Sequence, residues 1–173
     1  MGSEDNSTVQ LTKKGVPTLR VFRKEKQPIT LFGLESVESF KPPLYLEATF
    51  TRPHATFGNG FNILGVLIGT PDKDKRERNK LHIGYKNADG TWNKQAIGAY
   101  SRVESISTKL ELYVDNDPEY PGRIRYSGYV ESILGREYFQ LKNQEMGDDR
   151  LRIQSRSGSG RFDVERFRVW ALN

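Results

Sequence analysis

The residue types best suited to chemistry crowd into one stretch of the chain. His82, Tyr85, Trp92, Asn93 and Tyr100 all fall within residues 82–100, around the turn signal of "KNADGTWNK". Aromatic faces can stack on the C–H side of a sugar ring, and planar amide or imidazole groups can bond its hydroxyls. These five residues are enough for one such subsite. The plainer alternative is that Tyr85 and Trp92 are hairpin or core aromatics. Arg123 and Arg125, on one face of "RIRYSGYV", add cationic partners for an anionic ligand.

Other constellations are thinner. Glycosidases need two positioned carboxylates. Glu47 and Glu111 lie on the polar faces of two predicted strands and could approach each other, although an ordinary solvated sheet face explains them better. Asp115, Asp117 and Glu119 in "DNDPEY" are oxygen ligands of the kind Ca²⁺ takes, but a loop without the glycine and closing glutamate of an EF-hand reads better as a turn. Beyond that Ca²⁺ option no cofactor is called for. Two histidines, His54 and His82, are too few to argue a zinc site. The glycines near 158–160 follow no phosphate-loop logic, because no helix comes after them.

The elements that must position these residues are strands. Period-2 alternation recurs, and no amphipathic stretch of helical period is present. "LYLEATFT" sets Leu44, Leu46, Ala48 and Phe50 against Tyr45, Glu47, Thr49 and Thr51. "KLELYV" sets Leu110, Leu112 and Val114 against Lys109, Glu111 and Tyr113. "FDVERFRVWAL" predicts a strong last strand with a bulge near Glu165 and Arg166 and with Trp170 largely in the core. The nearly all-apolar "FNILGVLIG" predicts a single central strand buried on both faces. Asp89-Gly90 predicts a hairpin turn with core residues Leu81, Ile83 and Tyr85, and with His82 on the other face. The charged run from Asp72 to Lys80 reads as an exposed loop. About eleven short strands separated by turns give an all-β, antiparallel two-sheet jelly-roll β-sandwich.

Composition sets the outer bounds. The 173 residues fit one domain, residues 12–173, after a flexible N-terminal segment, residues 1–11, whose "MGS" start resembles a tag remnant. The chain has no cysteine, which excludes a disulfide scaffold or thiolate metal site. No apolar run approaches the roughly 18 residues of a membrane helix. Net charge is +5 and pI about 9.4, which favours an anionic partner. Nucleic acid is disfavoured, because no recognition motif accompanies the arginines. A secreted or cell-surface location follows if a signal once preceded the chain; oligomeric state is not set.

Three segments together resemble the concanavalin A-like lectin/glucanase superfamily. They are the terminal strands "VPTLRVFRK" and "FDVERFRVWALN", which pair in that superfamily, the hairpin "KLHIGYKNADGTWN", and the closing segment "LRIQSRSGSGRFDVERFRVW". The resemblance spans residues 12–173 and implies carbohydrate binding, with a polysaccharide or glycan, acidic by charge, as partner. Its glucanase branch carries a Glu-x-Asp catalytic motif that is absent here. "REYFQLKNQ" is also similar to a strand of jelly-roll alginate lyases, which implies His82, Tyr138, Arg125 and Gln140 as a lyase set, with Asn93 a further neutraliser. The Gln-Ile-His triplet of those lyases is missing. The reading is therefore a lectin-like module, with a polysaccharide lyase or hydrolase, or an adhesion domain, as alternatives.

Overall fold

The computed structural model describes residues 7–11, 17–22, 32–51, 60–69, 80–87, 89–101, 103, 106–155 and 161–172. These residues form thirteen strands: β1 (Ser7–Leu11), β2 (Pro17–Phe22), β3 (Phe32–Glu35), β4 (Leu44–Thr51), β5 (Gly60–Ile63), β6 (Val66–Gly69), β7 (Lys80–Lys86), β8 (Trp92–Ala99), β9 (Thr108–Asn116), β10 (Ile124–Ser132), β11 (Gly135–Gln144), β12 (Leu151–Ser155) and β13 (Arg161–Ala171). One sheet runs β1-β2-β13-β4-β9-β10-β11 and the other β3-β12-β5-β6-β7-β8, with every pairing antiparallel. The expected all-β, two-sheet antiparallel jelly-roll sandwich is the observed fold.

The alternation that predicts the strands also builds the core. Leu44, Leu46, Ala48 and Phe50 from β4, Leu110, Leu112 and Val114 from β9, and Tyr126 and Val130 from β10 turn inward onto Phe61, Ile63, Ile68, Leu81 and Ile83 of the second sheet. Tyr126 is fully buried and donates its hydroxyl toward the carbonyls of Ile63 and Leu64, both at 3.1 Å. That bond satisfies a phenol which burial would otherwise penalise. The sheets also meet at β8 and β11, where Glu137 accepts the Ala99 N–H at 2.9 Å.

Several sequence expectations meet the structure directly. The two terminal strands pair antiparallel, Val21 opposite Phe162. The β4–β13 register shifts between Val164 and Arg166, which is the expected bulge, and Glu165 there accepts a hydrogen bond from Ser107. "FNILGVLIG" is a correction: it is two four-residue strands joined by a tight turn, not one strand. Leu64 and Gly65 both take positive φ, 50° and 100°, as a two-residue hairpin of the favoured twist requires. Burial along the run hides the reversal, because an apolar run looks the same straight or folded back. Ser7–Leu11, expected in a flexible start, pairs with β2 as an edge strand. Residues 72–79 of the expected charged loop, and His54, lie outside the described residues.

Candidate functional site

The outer face of the seven-stranded sheet gathers polar and aromatic side chains in rows across neighbouring strands. Register aligns Trp170, Tyr45, Tyr113, Ser127 and Gln140 across β13, β4, β9, β10 and β11. The next row is Arg168, Glu47, Glu111, Tyr129 and Tyr138. Directly opposed side chains in such rows sit close enough to interact. Tyr45 stacks on Trp170 with centroids 5.1 Å apart and leans on Tyr113 at 4.7 Å. Trp170 is 40% exposed and Tyr113 46%, so the three rings form a platform open to solvent. Trp170 is a correction to the expectation that it lies largely in the core. The bulge at Glu165 resets the alternation, turning Phe167 and Val169 inward and Trp170 out.

Glu111 is the centre of the second row. Its carboxylate takes an ion pair from Lys109 and hydrogen bonds from the hydroxyls of Tyr129 and Tyr45. Burial pushes this carboxyl up, but the bonds from Lys109, Tyr129 and Tyr45 outweigh it and hold it below the usual carboxylate range. The partners respond in kind. Burial and the bond to Glu111 push the Tyr45 hydroxyl up to about 12, and raise Tyr129 as well. The bond to Glu111, against partial burial, raises Lys109. At neutral pH the cluster is thus a carboxylate, an ammonium and two protonated phenols. Its one positive and one negative charge cancel, and it presents a network of polar groups beside the rings. Glu47 stands directly across from Glu111 and accepts from Arg166 at 3.1 Å. Glu47 and Glu111 do stand opposite each other as expected, and the bonds to Glu111 favour its ionised form.

Tyr129 has further company. The Arg136 guanidinium carbon lies 4.3 Å from its ring centroid, and Tyr138 meets it edge-on at 5.6 Å. Tyr138, Gln140 and Arg125, three of the four residues in the lyase set, therefore share this face. Arg125 also pairs with Asp115 at 3.4 Å.

His82 does not join them. It sits in β7 of the opposite sheet, 3% exposed, with Nδ1 3.3 Å from the Lys80 carbonyl. His82 thus stands apart from the seven-stranded sheet's outer face and is closed to solvent. Tyr100 is likewise buried, at 1%, inside the core. The hairpin itself is as expected, with Leu81 and Ile83 in the core, Tyr85 packed against it, and Gly90 at φ 82°. Asp89 secures the turn by accepting from the Thr91 amide and hydroxyl, which keeps its carboxyl low. Tyr85, Trp92 and Asn93 stay together: Asn93 donates to the Tyr85 hydroxyl at 3.1 Å, and Trp92 is 57% exposed with the Lys86 ammonium 5.7 Å from its ring. Arg123 is paired with Glu145 at 2.5 Å.

The Ca²⁺ candidates are engaged with the chain. Asp117 accepts from the Glu119 and Asn143 amides, Asp115 faces Arg125, and Glu119 pairs with Lys142. Among the described residues no three His, Asp or Glu side chains gather as a metal cluster. No described helix is long and apolar enough to cross a membrane.

Sequence reasoning places its ligand wall on the hairpin and misses Trp170, Tyr45, Tyr113, Lys109 and Tyr129 as a group. The signal is present in the polar faces of "LYLEATFT" and "KLELYV". What is absent is the strand order that sets β13, β4, β9 and β10 side by side.

The class defined by this architecture is an antiparallel two-sheet jelly-roll β-sandwich with an aromatic and charged outer sheet face. No family model matches the chain, and no curated protein matches it by sequence. Solved structures do share the fold. One is the marine PL-14 alginate lyase from Aplysia kurodai, at TM-score 0.57 and 8% identity, over 97% of this chain and 88% of that one. Another is a conserved carbohydrate esterase from the Shiga toxin-encoding bacteriophage phi24B, at TM-score 0.60 and 12% identity, over 98% of this chain and 87% of that one.

Proposed function

We propose that this protein binds an acidic polysaccharide laid across the outer face of its seven-stranded sheet, as a lectin-like module. The observation that carries the reading is the exposed Trp170–Tyr45–Tyr113 platform beside the Lys109–Glu111–Tyr129 cluster. Stacked rings supply flat apolar area for sugar C–H faces. Arg168, beside the Lys109–Glu111 and Arg166–Glu47 ion pairs, supplies charge for carboxylates, in keeping with the basic balance of the whole chain. Two carbohydrate-active proteins with this fold support the ligand class. The concanavalin A-like assignment is the same proposal at the level of family.

The test is calorimetric titration of the full chain with alginate and pectin fragments, against a neutral cello-oligosaccharide. Acidic fragments should bind, weakening as salt rises, because exposed charges are screened beyond about 8 Å at physiological ionic strength. Trp170→Ala should weaken that binding at least about tenfold. Salt-independent binding, or an affinity unchanged by loss of Trp170, would sink the reading.

A second reading, β-elimination of a uronate polymer, is favoured by one observation. Tyr129 donates to the Glu111 carboxylate, so it can pass its proton there while taking the C5 proton of a uronate beside Lys109. A proton then returns to O4 as the C4–O4 bond breaks and the C4–C5 double bond forms. The appearance of unsaturated uronate ends, absent in Tyr129→Phe, would select it over simple binding.

A further inference from the structure

A cleft of about 520 Å³ opens at one end of the sandwich, and none of the platform rings lines it. Its walls come from three places: the β7–β8 turn with Lys86 and Asn87, the β5–β6 turn with Gly65, and the end of β11 with the segment after it, where Lys142, Asn143 and Glu145 stand. Arg123 completes it. We propose that this cleft is a second, anion-selective subsite that takes the charged end of an acidic oligosaccharide.

Charge is the first support. Three cations from separate segments, Lys86, Arg123 and Lys142, face one volume that contains, among the described residues, a single carboxylate, Glu145. Two of the cations have close carboxylate partners, and both of those carboxylates are largely in solvent. Arg123 pairs with Glu145, whose side chain is 75% exposed, and Lys142 pairs with Glu119, 58% exposed. Such solvated pairs are worth little, so an incoming anion can displace them. Lys86 lies over the Trp92 ring, which holds its ammonium near the cleft without neutralising it.

Rigidity is the second. A Cβ on Gly65 would come within 2.8 Å of the Gly147 backbone, and the Gly147 amide donates to the Leu64 carbonyl at 3.1 Å. Two walls are thus pinned backbone to backbone. Asp117 accepts the Asn143 amide at 2.8 Å and fixes the end of β11 within the second of these walls. A preformed site loses less free energy to ordering when a ligand enters. The volume falls in the range of small-ligand pockets and is large enough for a chain end.

The preference for an anion rests on the cleft alone. The choice of a sugar to carry it rests on the reading of the sheet face, and a carboxylate and a sulfate ester fit equally. The experiment is amide-resolved NMR titration of the full chain with a galacturonic-acid oligomer, a sulfated carrageenan oligomer and a neutral cello-oligomer. The amides of Gly65, Asn87, Gly90 and Gly147 should shift with an acidic oligomer and stay still with the neutral one. The oligomer that binds tighter identifies carboxylate or sulfate. Arg123→Ala should weaken this binding about tenfold, as loss of a charge-assisted hydrogen bond does. Glu145→Gln should tighten it by roughly twofold to threefold, since a screened competing charge is gone. Trp170→Ala should leave the cleft shifts unchanged, so failure of the sheet-face reading is seen separately. Cleft amides that ignore both acidic oligomers, that respond equally to the neutral one, or a Glu145→Gln protein that binds more weakly would each overturn the proposal.

Discussion

The outer face of β4, β9 and β13 and the β7–β8 hairpin use the same residue types to different ends. Each carries a tryptophan, a tyrosine and a lysine. On the sheet face, Trp170, Tyr45 and Tyr113 come from three strands remote in sequence and lock into one platform through register. In the hairpin, Trp92 and Asn93 are neighbours in sequence, Tyr85 is half drawn into the core, and His82 faces the opposite way into buried surroundings. A strand sends successive side chains to opposite faces, so nearness in sequence disperses groups while nearness across strands collects them. Convergent chemistry in a β-sandwich is therefore sought along rows, not along strands.

The comparison can be broken hardest by removing β13. Truncation after Gly160 takes away a strand that lies between β2 and β4, with Val164, Phe167 and Val169 that pack in the core. Loss of two such side chains alone costs about 5 kcal/mol or more, a large part of a domain's stability. The expected outcome is loss of any cooperative thermal transition by circular dichroism. A truncated chain that melts cooperatively would mean the sheet face is not held as described.

A smaller effect is expected from Trp170→Ala. Because the ring is partly exposed, binding of an acidic glycan should fall at least about tenfold, near the 1–3 kcal/mol a stacked ring supplies. The thermal midpoint should move little. A large fall in the midpoint with unchanged affinity would make the platform structural.

Smaller again is the acid response of Glu111. Its folded-state carboxyl lies below the unfolded value, so its contribution to stability is fully present above the unfolded value. That contribution is lost as pH falls through the folded one. Glu111→Gln should thus flatten the acid limb of a stability–pH curve below about pH 4 to 5, the unfolded glutamate range. An unchanged limb would remove Glu111 from the centre of the cluster.

The smallest effect belongs to the hairpin. Trp92→Ala deletes a ring that is mostly in solvent and should alter stability by no more than about 0.5 kcal/mol, as exposed substitutions do. Binding on the sheet face should be unchanged. If Trp92→Ala abolished that binding while Trp170→Ala did not, the roles of the two regions would be reversed.

Much of the fold is legible in the order of the residues. Leu44 to Phe50 and Leu110 to Val114 alternate so regularly that both strands and their inward faces follow from period alone. Asp89-Gly90 marks its turn, and the slipped pattern at Glu165 marks its bulge. Where nearly every residue is apolar, as in 61–69, the pattern carries no information about direction, and the turn at Leu64-Gly65 does not show. Trp170 is misplaced for a related reason: a one-residue bulge flips every later side chain to the other face.

The sequence by itself determined the all-β class, the core faces of the long strands and the basic balance. Each of these depends on local periodicity or on charge that simply sums. Only the tertiary structure decided that Glu47 stands across from Glu111, that Trp170, Tyr45 and Tyr113 share one platform, and that His82 is buried. Those outcomes depend on which strands are neighbours and in what register. Strand order is set by the packing of the whole core, and no local pattern of residues encodes it.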